Sequence, residues 1–292
     1  MPAQLNLWGQ SPAPLRLVER RCWRKGRWSA VNPQAIPVKQ RGPGILPESK
    51  ETRIKLPTQE TRRKRVYKTV AVIETDGLFG MTLDERPLHT PGRIKLETSS
   101  KALAAAICAE WDDQVDFIDP GSMPLTKLLN TALDRIAPNA QTVVSDLLSY
   151  LDTDLLCYRA DNPPELVERQ SGVWQPVLDW LQETHGIELS VGTGLMPLSQ
   201  SEESHQRSEK ILIGLNTAEL TSVQATAGLT SSLSLGLSLV GGKLSGADVA
   251  GAANLDETWQ MEKWGEDLEA LDRIASLAAE VLAVEKFLKL SA

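Results

Sequence analysis

No run of apolar residues in this sequence is long enough to cross a membrane as a helix. A spanning helix needs about 18 to 20 such residues, and the longest candidate, Leu229 to Val240, is interrupted by Thr, Ser and Gly. No apolar stretch near the N-terminus resembles the core of a secretory signal. We therefore expect a soluble protein with no membrane span.

Cysteine and histidine are scarce, with three residues of each in a chain of 292. The cysteines are odd in number and share no C-x-x-C spacing, so they indicate neither a disulfide framework nor a zinc site. No histidine has a second ligand at the spacing of a metal-binding helix. The sequence therefore predicts a reducing compartment, no metal and no cofactor.

Nucleotide-binding and nucleophilic motifs are missing as well. The nearest match to a phosphate-binding loop is GGKLSG at 241–246, but Leu237 and Leu244 stand where the loop needs a glycine and a hydroxyl residue. We therefore interpret Gly241 and Gly242 as a helix terminator. The serines of 231–238 form neither a nucleophile elbow nor a Ser-x-x-Lys pair.

Paired carboxylates are the remaining catalytic candidates. Asp112 with Asp113, and Asp152 with Asp154, could divide acid and base roles, because neighbouring carboxylates can take different protonation states. Spacing alone does not bring such pairs onto one substrate, and acids more often cap helices or face water. We predict that the protein is not an enzyme and has no catalytic residues. A hydrolase or nucleotide-binding enzyme that uses these pairs is one alternative.

Charge is distributed unevenly along the chain. Residues 1–65 hold fifteen Lys and Arg and four Asp and Glu, a net charge of +11, whereas the other 227 residues carry −18. The strongly acidic region after residue 65 repels phosphate backbones and attracts basic protein surfaces. The globular part is therefore predicted not to bind nucleic acid. A second alternative is an adaptor whose basic tail binds nucleic acid or an anionic membrane.

Composition divides the chain into three segments. Residues 1–64 are rich in Pro and Arg and lack periodicity, which indicates a disordered extension in which Leu15 to Trp28 could form a short basic helix. Glu19 is the one acid among residues 1–47, a composition that permits a mitochondrial transit peptide. We predict an N-terminal α+β domain at 65–139 and a helical C-terminal domain at 140–292.

Alternating apolar residues predict a small antiparallel sheet at the start of the α+β domain. The segments 65–74 and 79–83 alternate on either side of Asp76-Gly77, a dipeptide that favours a tight hairpin turn. Further short strands are predicted at 88–90 and 94–96.

Helical spacing dominates the rest of the sequence. Ser99 or Ser100 is predicted to cap one helix, and a second runs from about Pro124 to Ala137. In the second half, helices are predicted over 165–183 (closing at Gly186), Thr217–Val240 and Ser245–Trp264. The predicted fold class is α+β: a small antiparallel sheet with helices, followed by an all-helical domain.

The segment LDETWQMEKWGED at 255–267 combines two tryptophans and a methionine with five carboxylates. On a helix, Glu257, Met261, Trp264 and Leu268 fall in one stripe, and Leu255 and Trp259 fall in a neighbouring one. The apolar residues of these two stripes border a carboxylate-rich face. The helix is either part of a core or a surface for a partner, and periodicity alone does not decide between them.

Eight strings, taken in order, resemble one protein family: RVYKTVAV, LDERPLHTP, ALAAAICAEWDDQ, MPLTKLLNTALDR, DTDLLCYRA, PPELVERQ, VWQPVLDW and LDETWQMEKWGED. They are similar to the assembly chaperones of the F-type ATP synthase that guard its alpha subunit, found in mitochondria and alphaproteobacteria. The resemblance covers Arg65 to Leu290. One departure is Glu85, where the family commonly places glycine.

The resemblance implies a protein that binds the unassembled alpha subunit and prevents its aggregation until it joins beta. It implies the partner-binding residues Asp256, Glu257, Gln260, Lys263, Trp264 and Glu266, and a second set that is structural or partner-binding: Trp111, Asp112, Gln114 and Trp259. Of the 255–267 residues, we expect Trp259 and Trp264 to pack and Asp256, Glu257 and Gln260 to meet alpha. We expect a monomer in a bacterial cytoplasm or, if the source is eukaryotic, in the mitochondrial matrix; the bacterial-looking strings favour the former.

Overall fold

A β-hairpin is the first pair of strands in the described part of the chain. The computed structural model describes residues 63–194 and 197–292. Strands β1 (Val70–Thr75) and β2 (Leu78–Leu83) pair in antiparallel register around Asp76 and Gly77. Both turn residues have positive φ, 52° and 80°, as a two-residue turn needs to match the twist of the strands. The predicted hairpin is confirmed.

Two short strands complete the sheet, and both pair with β2: β3 (Arg86–Pro87) and β4 (Glu97–Thr98). Strand β3 begins before the predicted 88–90 because Asp84 and Glu85 form a second two-residue turn and pairing resumes directly at Arg86, whereas β4 follows the predicted 94–96. Glu85 has φ 66°, in the left-handed region that glycine adopts without strain. This conformation explains why glycine suits the position.

Two helices cover the sheet. Helix α1 (Lys101–Asp112) is capped by Ser100, whose hydroxyl accepts a hydrogen bond from the Leu103 amide. Helix α2 (Pro124–Thr131) continues into a π-helical turn over Ala132–Ile136. Met81, Leu96, Leu103, Ile107 and Leu125 form the buried centre of this part of the protein. The sheet and its helices confirm the predicted α+β arrangement.

The remaining elements are mostly helical. The helices are α3 (Ala140–Leu148), α4 (Pro164–His185), α5 (Glu202–Gly214), α6 (Thr217–Thr230), α7 (Leu233–Val240), α8 (Gly246–Ala253), α9 (Leu255–Trp264) and α10 (Leu268–Ser291). Two-residue strands β5 (Tyr158–Arg159) and β6 (Gly192–Thr193) form a parallel pair. Helix α4 ends at Gly186 in the left-handed conformation, as predicted. Within residues 63–194 and 197–292, no helix is long and apolar enough to span a membrane.

The two long helices predicted at 217–240 and 245–264 are each broken in two, so both predictions are wrong in this respect. Ser231, with φ 53°, ends α6, and Ser232 caps α7 by accepting from the Leu235 amide. Asn254, outside the helical conformation, separates α8 from α9. Because the apolar spacing continues across each one- or two-residue break, periodicity does not reveal it.

Helix α10 contributes to two buried clusters. Its residues Val281 and Val284 belong to the large core of the helical half, whereas Phe287 belongs to the core under the sheet. Ser100 at the start of α1 donates a hydrogen bond to the Leu290 carbonyl near the end of α10. The predicted extension at 1–64, including the possible helix at Leu15–Trp28, lies outside the described residues except for its last two, which pair with the 117–118 segment.

Candidate partner-binding surface

Helix α9 is anchored through its buried side. Leu255 and Trp259, 4% and 8% exposed, belong to the helical core. The neighbouring Trp174 indole nitrogen donates to the Ala252 carbonyl at the end of α8, at 2.9 Å. The sequence left two roles open for Trp259, structural or partner-binding. Its ring packs in the core, which corresponds to the structural role.

Trp264, at the last position of α9, faces solvent. It is 76% exposed, and Leu268 at the start of α10 is 77% exposed. The Trp259 and Trp264 rings meet edge to face, with centroids 6.0 Å apart and planes 80° apart. The expectation that Trp264 packs in the core is therefore wrong, since the core closes over Trp259 and α9 ends before it can bury the second ring.

The connection between α9 and α10 has a fixed backbone. Gly265 has φ 101° and ψ 160°, a conformation that is essentially restricted to glycine. Asp267 then caps α10, because its carboxylate accepts a hydrogen bond from the Glu269 amide at 3.1 Å. The two exposed apolar side chains are thus presented by a defined turn.

Two of the predicted partner-binding acids are engaged by neighbouring helices. The Asp256 carboxylate accepts a hydrogen bond from Gln170 Nε2 of α4 at 2.8 Å. The Glu257 carboxylate lies 3.5 Å from the Arg273 guanidinium of α10, and both side chains are substantially exposed. Asp256 therefore helps to dock α9 on α4, whereas Glu257 remains at the surface.

An ion pair that the sequence did not indicate also joins α9 to α4. Arg169 donates to both Glu262 carboxylate oxygens, at 2.7 and 2.9 Å, and this hydrogen bonding lowers the pKa of Glu262. Lys263 lies over the Trp259 ring, with its nitrogen 5.6 Å from the centroid. Because the paired residues are 93 positions apart, no local pattern could have found the contact.

The other two predicted polar site residues, Gln260 and Glu266, are exposed. Within the described ranges, neither side chain has a hydrogen bond or a salt bridge. Glu266 lies in the α9–α10 connection and is followed by exposed Asp267, Glu269 and Asp272. The end of α9 and the start of α10 thus combine two exposed apolar side chains with carboxylates.

The other three residues of the second predicted set, Trp111, Asp112 and Gln114, lie at the end of α1 and have structural contacts. Gln114, 5% exposed, donates to the Glu110 carbonyl and to the Ser122 hydroxyl and accepts from the Asp119 amide. These bonds hold the loop between α1 and α2 in place. A partner-binding role for Gln114 remains a prediction.

Trp111 and Asp112 are held by the segment that precedes β1. The Tyr67 hydroxyl donates to the Trp111 carbonyl at 2.6 Å, and the two rings lie 5.9 Å apart. The Arg65 guanidinium lies 3.0 Å from the Asp112 carboxylate. Within the described part of the chain, no hydrogen bond or salt bridge joins Trp111, Asp112 or Gln114 to α9, so these three residues do not form one site with α9 through such contacts.

The carboxylate pairs proposed for catalysis have other partners. Asp154 is fully buried and accepts from the Leu156 and Ser234 amides and the Ser232 hydroxyl. Asp152 accepts from the Gln200 amide at 2.8 Å. Among the described residues, no group of three His, Cys, Asp or Glu side chains could hold a metal ion.

The two described thiols and the glycine pair are also accounted for by packing. Burial raises the pKa of Cys108 to about 11 and that of Cys157 to about 12, so neither forms a reactive thiolate near neutral pH. Gly241 ends α7 against Trp180, whose ring atoms would lie 2.6 Å from an added Cβ. The helix terminator predicted at Gly241-Gly242 is confirmed.

A groove of about 570 Å³ lies elsewhere, between α2, α6 and α10. It is lined largely by small and apolar side chains, and none of the predicted site residues lines it. This groove is therefore separate from the candidate surface at α9.

Comparison with known proteins points to one family. The family model described as ATP12 chaperone protein matches residues 64–182. The crystal structure of Atp12 from Paracoccus denitrificans is 34% identical, with a TM-score of 0.73, and the match covers 79% of this chain and 99% of that one. The structure of Atu1473 from Agrobacterium tumefaciens is 38% identical, with a TM-score of 0.73, over 77% of this chain and 85% of that one. The mitochondrial protein atp12 of Schizosaccharomyces pombe is 27% identical over 235 residues, which are 76% of this chain and 81% of that protein.

Proposed function

Because this chain belongs to the ATP12 chaperone family, we propose that it binds the unassembled alpha subunit of the F-type ATP synthase catalytic head and prevents its aggregation until it joins beta. Alpha without beta exposes an apolar interface that associates wrongly if it is left uncovered. A protein that covers this interface for a time needs no catalytic step. It acts as a binding partner without a cofactor.

The observation that carries this proposal is the exposed end of α9. Trp264 projects from a firmly packed helix, and the exposed carboxylates Glu266, Asp267 and Glu269 follow it in the chain. Tryptophan is enriched among the residues that contribute most to protein interfaces, and a polar rim around such an anchor is typical of them. The acidic body, with a charge of −18 outside residues 1–65, favours a client with a basic surface.

Transfer of alpha to beta sets the affinity that the chaperone needs. Binding must be strong enough to keep free alpha from aggregating and weaker than the final alpha–beta contact, so that beta displaces the chaperone by competition. An interface of ordinary size is sufficient, because affinity depends on a few anchors more than on area.

Aggregation of purified alpha tests the proposal. Alpha diluted from denaturant should scatter light, and one equivalent of this chain should suppress the scattering and co-elute with alpha in a one-to-one complex. An equal amount of serum albumin controls for nonspecific protection. Undiminished scattering together with separate elution would exclude the proposed function.

Charge reversal at Glu257 locates the surface. In a pulldown, Glu257→Lys should recover several-fold less alpha, because charges at the rim of an interface chiefly control association. The fold should persist, since the exposed pair with Arg273 contributes at most about 1 kcal/mol. Glu203→Lys on α5 is the matched control, because Glu203 forms a similarly exposed pair with Arg207. Equal recovery by both variants would remove Glu257 from the proposed interface.

The proposed partner, the alpha subunit, indicates the compartment in which this chain acts. We place the chain where the catalytic head is assembled: a bacterial cytoplasm or, in a eukaryote, the mitochondrial matrix. Relatives occur in both settings, and the bacterial structures are more similar to it in sequence than the fission yeast protein is, which favours the cytoplasm. A fluorescent protein fused after Ala292 and expressed in yeast checks whether residues 1–62 direct import, which would support the matrix instead.

A further inference from the structure

Trp264 and Leu268 are together the most distinctive part of the exposed surface. Every other aromatic side chain in residues 63–194 and 197–292 is buried or half-buried. The two residues are four positions apart, so their Cα atoms lie within about 14 Å of each other. Scattered exposed leucines are ordinary, whereas an exposed tryptophan near one is typical of a binding anchor. We call these two side chains the Trp264–Leu268 knob.

The knob is positioned before any partner arrives. The buried Trp259 ring supports Trp264 from below, and the glycine-only backbone of Gly265 together with the Asp267 cap sets where α10 and Leu268 begin. The ring contact and the helix cap reduce the conformational freedom that Trp264 and the α9–α10 connection would otherwise lose on binding. The structure thus favours insertion of a preformed knob over folding of a loose loop around a partner.

The charges around the knob select its partner. Glu266, Asp267, Glu269 and Asp272 are all exposed, and within the described ranges none of them lies in a salt bridge. In contrast, Glu257 and Glu262 on α9 are matched by arginines. A surface that covers the knob must therefore approach unneutralised carboxylates, which lysine and arginine side chains favour and anionic lipid headgroups oppose.

We propose that the Trp264–Leu268 knob is the anchor of this chaperone, and that it enters an apolar hollow of the alpha subunit rimmed by lysine and arginine side chains. The inference rests on the proposed function and adds the element that is recognised and the chemistry of its receptor. The apolar side chains supply most of the affinity, and the carboxylates speed the encounter and set its orientation.

Removing the knob tests the apolar part of the proposal. The double variant Trp264→Ser, Leu268→Ser should need at least about tenfold more protein to halve the scattering of alpha, as expected for loss of two anchors. Its thermal unfolding should match that of the wild type, because neither side chain is buried. Ile213→Ser is the control, since Ile213 is 65% exposed on α5, and it should suppress aggregation like the wild type.

The outcomes separate this inference from the proposed function. If the wild type fails to protect alpha, the proposed function is lost. If the wild type protects and the double variant protects equally well, the knob is not the anchor and only the present inference is overturned. Binding of the wild type to phosphatidylcholine–phosphatidylglycerol vesicles that disappears in the double variant would assign the knob to a membrane and would also overturn it.

Charge reversal tests the basic rim. Glu269→Lys should slow association with alpha several-fold at low salt, and the difference should shrink as salt screens the charges. Glu202→Lys is matched to it, because both residues lie in the first turn of a helix and lose the same favourable interaction with the helix dipole. If Glu269→Lys accelerates association, the receptor is acidic and the proposed rim is wrong.

Discussion

The buried carboxylate of Asp154 ties together segments that are far apart in the sequence. It accepts from the Ser232 hydroxyl and the Ser234 amide, 78 and 80 positions away, at 2.8 Å each, and also from the Leu156 amide. Burial raises the pKa of Asp154, and the hydrogen bond from the Ser234 amide opposes this shift most strongly. The residue fixes the start of α7 against the loop after α3.

We expect Asp154→Asn to destabilise the fold by about 1–3 kcal/mol, because either amide orientation places an NH2 group against a buried donor. Urea unfolding measures the change. Asp146→Asn, at an exposed position of α3, should leave stability within about 0.5 kcal/mol. Equal stability of both variants would show that the Asp154 carboxylate does not hold this junction.

The two tryptophans of α9 should behave oppositely. Trp259→Ala should cost about 3–5 kcal/mol, because it leaves a cavity in the helical core, whereas Trp264→Ala should change stability by less than about 0.5 kcal/mol. Thermal unfolding of the two variants measures these changes in stability. A large loss of stability in Trp264→Ala would contradict the exposed position of Trp264. The sequence could not distinguish the two rings, since both occupy apolar stripes and only tertiary packing shows which stripe the core covers.

At the scale of elements, the connection between α9 and α10 depends on one glycine. An added Cβ at Gly265 meets nothing within 4 Å, so the cost of substitution is one of backbone conformation. We expect Gly265→Ala to destabilise the protein by about 1–3 kcal/mol and to weaken capture of alpha by displacing the Trp264–Leu268 knob. Chemical denaturation and the scattering assay measure the two effects.

Gly251→Ala is the control for that prediction. Gly251 lies inside α8, and an added Cβ there also meets nothing within 4 Å, so alanine should stabilise the helix by about 0.5–1 kcal/mol. If both glycine variants gained stability, the backbone of Gly265 would not be restrictive.

Elements were predictable where their signals are local. The Asp76-Gly77 turn fixes the hairpin, and Ser100 and Gly186 cap their helices within a few residues. The breaks at Ser231 and Asn254 were not predictable, because apolar spacing continues through them. The break after Ser231 is accompanied by the hydrogen bonds from Ser232 and Ser234 to the distant Asp154, which the order of residues does not display.

At the scale of the whole molecule, α10 links the core under the sheet to the helical core. Phe287, 1% exposed, fills the first, while Val281 and Val284 fill the second. The division of the chain at 139/140 remains a prediction, and α10 packs on both sides of it.

We expect Phe287→Ala to cost about 3–5 kcal/mol and to lower the midpoint of a single transition seen alike by circular dichroism and tryptophan fluorescence. Leu282→Ala, at a position 45% exposed on the same helix, should cost much less. Two separate transitions in the Phe287 variant would show that the two cores unfold independently.

The fold class and the family could be predicted from the sequence, because the strings that carry the resemblance extend along both the α+β part and the helical part. The candidate site could be predicted only in part. The resemblance singled out 255–267, but the exposure of Leu268 and the pairing of Glu262 with Arg169 depend on how α9 docks against α4 and α10.

Transfer of alpha between partners tests the central claim most directly. Purified alpha mixed with this chain should elute as a one-to-one complex in size-exclusion chromatography, and added beta should move alpha into an alpha–beta species while this chain returns to its own elution volume. Alpha that aggregates to the same extent with and without this chain, or that never co-elutes with it, would contradict the account.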